Sequence, residues 1–176
     1  DGTVDYLAAV NQLLARGVTP ENNAAIPLLE AVWPFDQAQR DRALAALHAK
    51  PAFPKLPLRS LWGYLQNKGL LRNPAEIEKE DAWETSSQGA PWTAAQLPMV
   101  AKYLKDGAPA LAMIDEACKR PQCDFPWIGS TSGNSWPRAL PVSALPRAAA
   151  LALKMRALLQ AGSGDVSAAI GGVHEL

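Results

Sequence analysis

The sequence predicts an all-α domain, on three observations. Alanine and leucine dominate, at 32 and 23 of 176 residues, against 8 Val, 5 Ile and 5 Thr. Ala and Leu lose little side-chain entropy in a helix, whereas β-branched residues favour strands. No window alternates apolar and polar residues for long enough to read as a strand, while apolar residues recur at helical spacing throughout. The 15 prolines fit this class if they occupy first turns and connectors, where a missing N–H is harmless.

The elements follow in order. Tyr6, Val10, Leu13 and Leu14 form one stripe of a helix from about Val4 to Arg16, and Gly17 supplies its left-handed end. Thr19-Pro20 restarts the chain as N-cap and first helical residue. The second helix runs to Val32, with Ile26, Leu29, Val32 and Trp33 inward. So short a gap predicts an antiparallel hairpin. Asp36 caps a third helix to about Ala49, with Leu44 and Leu47 inward. The proline-rich run 50–57 is an extended connector. Leu58, Leu61, Trp62 and Leu65 mark a fourth helix, closed by Asn67-Lys68-Gly69.

Residues 73–90 carry Glu76, Glu78, Glu80, Asp81 and Glu84 against Lys79, which reads as a solvated surface segment. Thr93-Ala94-Ala95-Gln96 is a capping box opening a fifth helix through Leu97, Val100 and Leu104. Beyond Gly107, Pro109 either kinks that helix or starts a sixth. Residues 121–141 form a long irregular loop. A seventh helix follows from Val142 to Ala161, and Asp165 caps a last one with Val166, Ile170 and Val173 inward. The expectation is a single domain over 1–176, with about eight helices in antiparallel hairpins, a bundle or a short solenoid-like array. The stripes of helices one, two, five and seven should make the core.

Several function classes are excluded or disfavoured. The 17 basic and 17 acidic residues balance, which argues against nucleic-acid binding. No apolar run approaches the ~20 residues of a membrane span. No phosphate-binding loop, dinucleotide fingerprint, zinc-protease or calcium-loop pattern occurs, and no cofactor is called for. The stretch Gly129 to Gly133 approaches a nucleophile elbow, but its centre is Thr131 and no strand precedes it. His48 and His174 read as structural, His48 near a helix end where a cation suits the dipole. Glu30, Asp115 and Glu116 are the carboxylates a sugar hydrolase would use, although Asp115 and Glu116 point apart by ~100° on a helix.

Cys118 and Cys123 lie five apart across Pro121. A zinc site normally needs four N or S ligands, and only His48 and His174 are available beyond this pair, so no metal is expected. Either the pair is two thiols or it is a local disulfide made by the bend at Pro121, which would imply an oxidising compartment. Trp33 and Trp62 read as core. Trp92, Phe125, Trp127 and Trp136 lie beside Pro, Gly and Ser, either sealing one end of the helix layer or offering a stacking platform to a protein or glycan.

Gly162 to Leu176, with Gly164-Asp165-Val166 and Ala169-Ile170, resembles the turn between paired helices of tetratricopeptide-type repeats. Two stretches, Gly17-Val18-Thr19-Pro20-Glu21-Asn22-Asn23-Ala24-Ala25 and Glu116-Ala117-Cys118-Lys119-Arg120-Pro121 leading to Phe125-Pro126, together resemble an uncharacterised family of α-helical, envelope-anchored proteins of planctomycete bacteria. That family brings no assigned activity. The resemblance implies an extracytoplasmic fragment of a longer protein, periplasmic or anchored through a part outside this chain. The start at Asp1-Gly2 and the end inside a helix at Val173-His174-Glu175-Leu176 agree with such an excision. The expected function is a non-enzymatic interaction or scaffold domain, with a carboxylate-dependent hydrolase of cell-wall sugars as the alternative.

Overall fold

The computed structural model describes residues 5–32, 37–49, 58–69, 82–83, 85–128, 138–139 and 144–174. Its helices are α1 (Tyr6–Leu14), α2 (Ala25–Ala31), α3 (Gln37–Ala46), α4 (Leu61–Asn67), a short run α5 at 85–89, α6 (Pro98–Asp106), α7 (Ala108–Cys118), α8 (Ala144–Gly162) and α9 (Val166–His174). The fold is all-α, with one small ribbon in which β1 (Trp127–Ile128) pairs antiparallel with β2 (Arg138–Ala139), Trp127 opposite Ala139. The expected Trp33, Asp36, connector 50–57, acidic residues 73–81, Glu84 and loop tip 129–137 with Trp136 lie outside the described residues.

The core forms where α2, α6, α7 and α8 meet. Every residue of α2 is buried, and α2 lies along α7, whose Leu111, Ile114 and Ala117 face it. Leu29, Leu44, Leu65, Val100, Ile114, Leu145, Leu153 and Met155 are fully buried in one continuous cluster. Helices two, five and seven of the sequence reading therefore supply core as expected. A break at Gly107, with Pro109 in the first turn of α7, resolves the open question there: α6 and α7 are two helices. α8 and α9 form the predicted terminal hairpin, turned by Gly164 at φ 86° and capped by Asp165, whose carboxylate accepts from the Ala168 N–H at 3.1 Å.

Four expectations are corrected. First, α2 begins at Ala25 rather than at Thr19-Pro20. The Asn22 side chain accepts from the Thr19 N–H at 2.7 Å and donates to the Gly17 carbonyl at 2.9 Å, so local side-chain bonds hold 17–23 as a turn. The redirected chain sends α1 against β1 instead of along α2, and the hairpin of helices one and two is not formed.

Second, the apolar stripe of α1 faces outward. Tyr6 is 77 % exposed, Leu13 58 %, Leu14 49 % and Val10 42 %. Third, α9 does the same on a smaller scale, with Val166 and Ile170 exposed while Ala169 and Gly172 turn inward. Small residues allow a close approach, and the space beside Gly172 is occupied by Ala157, Gln160 and Arg156 of α8. Fourth, Trp62, expected in the core, is 38 % exposed on α4, whose Leu61 and Leu65 are the buried positions.

Candidate functional site

Two distant stretches of sequence meet at one end of the molecule. The chain at 22–24 runs parallel to 122, with the Ala24 N–H donating to the Gln122 carbonyl (2.7 Å) and the Gln122 N–H to the Asn22 carbonyl (3.1 Å). Asn23, only 1 % exposed, completes this clasp. Its Nδ2 donates to the Asp124 carbonyl at 2.9 Å, and its Oδ1 accepts from the N–H groups of Asp124 (2.9 Å) and Ala25 (3.0 Å). A buried amide with these bonds is satisfied and rigid. Arg120 Nη1 adds bonds to the carbonyls of Pro20 (2.8 Å) and Asn23 (3.0 Å).

A cleft of about 480 Å³ opens beside the clasp, within the range of small-molecule sites. Ala8, Asn11, Gln12 and Ala15 of α1 form one wall; Thr19, Pro20 and Asn23 form another; Leu47, His48, Asp124 and Pro126 complete it. At 100° per residue, the wall of α1 is centred roughly opposite its outward stripe. α1 thus turns its small and polar face to the cleft.

Two groups of the cleft are set in unusual ways. The first is His48, which has a φ of 54°. α3 ends with the His48 N–H donating to the Ala45 carbonyl (3.0 Å) and the Ala49 N–H to the Leu44 carbonyl (2.9 Å), the Schellman pattern that ordinarily takes glycine. An L side chain in the left-handed region costs about 1–2 kcal/mol. The second is Asp124, whose backbone is fixed by Asn23 and whose carboxyl is pushed up from its ordinary value by burial. Among the described residues its carboxylate has no hydrogen bond or ion pair. Partial desolvation first, then the charge of Asp124, also raises the thiol of Cys123.

The residues singled out from the sequence are placed as follows. Trp92 is 4 % exposed and donates its ring N–H to the Ser87 carbonyl at 3.1 Å, so it is a core side chain and not a contact surface. Phe125 is half-buried against the core. Trp127 lies in β1, which packs against α1 and α3, and Trp136 is outside the described residues. Cys118 and Cys123 are exposed and are not joined by a disulfide. The backbone of Gln122 is engaged by 22–24, which carries the chain away from the end of α7 instead of folding it back. Cys118 borders a smaller apolar hollow of about 170 Å³ between α2, α7 and α8.

The hydrolase carboxylates are not brought together. Asp115 is held by Arg156 through two hydrogen bonds of 2.6 and 2.7 Å. Glu116 pairs with Lys119 and Arg120 on the surface, and Glu30 is buried in α2, where its charge acts on the buried Arg40. No three His, Cys, Asp or Glu side chains converge among the described residues in a way that would hold a metal ion, and no described helix is long and apolar enough to cross a membrane.

His48, Asp124 and the amides of Asn11 and Gln12 were not singled out as site residues from the sequence. The signal that pointed toward them was indirect: Asn22-Asn23 and Phe125-Pro126 lie in the two stretches that carry the envelope-protein resemblance, and the clasp joins those stretches. No family model, curated protein or solved structure matches this chain.

Proposed function

We propose that this chain is a non-enzymatic interaction domain of a bacterial extracytoplasmic protein, and that it meets a partner protein through the outward face of α1. One observation carries the reading: Tyr6, Val10, Leu13 and Leu14 form a continuous exposed apolar stripe on a helix without a charged residue. Burying such side chains stabilises a complex by about 1.5–3 kcal/mol each before association costs. An aromatic among aliphatic residues, with Asp5 and Arg16 at the two ends, is the composition of an interface centre with a charged rim. The extracytoplasmic setting rests on the envelope-protein resemblance. The engagement of Asp115 and Glu116 in ion pairs favours binding over carboxylate hydrolysis.

The test is a photo-activated cross-linker placed at Val10 of the intact protein in its native cells. One discrete protein adduct is expected, and Leu13→Ser should abolish it while shifting stability by no more than about 0.5 kcal/mol, as for surface changes. An adduct that survives Leu13→Ser, or the absence of any discrete adduct, overturns the α1 interface. Release of reducing sugar from cell-wall glycan by the purified chain, lost on Asp115→Asn, would establish the hydrolase instead.

A further inference from the structure

We propose that the 480 Å³ cleft beneath α1 is a binding site for a small primary ammonium compound with a short apolar body. The cleft lies on the face of α1 opposite the proposed interface and is independent of it. His48 aside, Asp124 is the only charged residue among the described residues that line the cleft, and its charge is negative. Its carboxylate is half-buried, its burial disfavours the charged form, and no described residue neutralises it. A cation entering the cleft would supply the missing partner in a setting where water screens the pair less than at an open surface.

The remaining polar groups agree with that charge. The Gln12 amide oxygen and an imidazole nitrogen of His48 can accept hydrogen bonds, and an ammonium has three to donate. Ala8, Ala15, Val18, Leu47 and Pro126 offer an apolar lining to the rest of the ligand. Among the described residues Arg120 makes no ion pair with Asp124: it is held on the Pro20 and Asn23 carbonyls and its charge is met by Glu116 and Glu21.

The geometry is also built in advance. Asn23 fixes the backbone of Asp124 on both its N–H and its carbonyl, so the carboxylate is presented on a stationary chain. His48 occupies a left-handed position that glycine would fill with less strain, and it borders the cleft. Residues held in sparsely populated backbone conformations cluster at ligand sites, which agrees with a contact role for His48.

The probe is n-butylammonium, with n-butyrate and n-butanol as controls, titrated into the full chain and read from backbone amide NMR shifts. Butylammonium should give saturable shifts at Asn11, Gln12, Thr19, His48 and Asp124, with an affinity of about millimolar for so small a ligand. Asp124→Asn keeps the shape and should weaken binding at least tenfold. His48→Gly should keep the fold, raise the melting temperature and weaken binding severalfold. The proposal is overturned if butyrate or butanol shifts the same amides as strongly, if Asp124→Asn binds equally well, or if no saturable shift appears. Leu13→Ser, which tests the α1 interface, should leave butylammonium binding unchanged, so the two readings fail separately.

Discussion

At the scale of single residues, glycine and asparagine decide more than the bulky side chains do. Gly162 ends α8 against the backbone of Trp92, and a Cβ built there would overlap the Trp92 nitrogen, carbon and carbonyl oxygen. These are backbone atoms, held by the Trp92 N–H bond to the Leu158 carbonyl at 3.3 Å and by the buried indole. They cannot move aside as a flexible side chain would. Gly162→Ala should therefore destabilise the domain by about 3 kcal/mol, at the upper end for overpacking; a urea midpoint within error of wild type would contradict the packing described. Gly107 is the instructive contrast. Its added Cβ would meet chiefly the Leu58 methyl, a movable neighbour, so the penalty there is smaller.

At the scale of elements, a clasp between α4 and α6 makes a pH-dependent contribution that can be assigned. The Tyr64 hydroxyl donates to the Asp106 carboxylate at 2.8 Å, and burial followed by that bond pushes the tyrosine up to about 12. In turn Tyr64 first, then Lys102 and Lys68, hold Asp106 below its ordinary range. A carboxylate depressed by folding stabilises the native state above its unfolded pKa and loses that contribution as pH falls through the folded value. Stability should thus decline on acidification below about pH 4. Tyr64→Phe should make that decline shallower, measured as urea midpoint against pH. An identical acid slope in the variant would mean the bond does not act on Asp106.

Several element ends were readable from the sequence, and the direction in which the apolar faces of α1 and α9 turn was not. The Gly17 and Gly164 turns and the Asp165 cap depend on neighbours within a few residues and are present, whereas the Thr93–Gln96 bonds close a turn ahead of α6, whose N-cap is Leu97 rather than Thr93. Helical spacing also grouped Tyr6, Val10, Leu13 and Leu14 correctly on one face. It carries no information on which way that face turns, because the direction depends on what the rest of the chain leaves uncovered. For α2 the side chains of Thr19, Asn22 and Asn23 outcompeted the helix that Thr19-Pro20 would start. The candidate cleft was hidden for a related reason. Its residues come from three segments, and the contact that assembles them spans 101 positions.

At the scale of the whole molecule, the packing of α2 on α7 organises everything else. Leu29 is buried at the centre of α2, within the continuous core. Leu29→Ala should cost about 2–5 kcal/mol, with the value set by how far the surroundings collapse. Thermal or urea unfolding checks this, and an unchanged midpoint would remove α2 from the core.

The Asn23 clasp has a consequence for how the site and the fold depend on one another. Closing a loop of about a hundred residues costs chain entropy, but packing α2 on α7 already brings the ends of that loop together. Asn23 and Asp124 then meet as near neighbours, and their bonds form at little additional entropic cost. The same logic runs in reverse. Separating α2 from α7 disperses the cleft walls, so the unfolded chain has no site to offer. Any occupant of the cleft therefore draws the equilibrium toward the native state by mass action. At a hundred times its dissociation constant it would add about 2.7 kcal/mol to global stability.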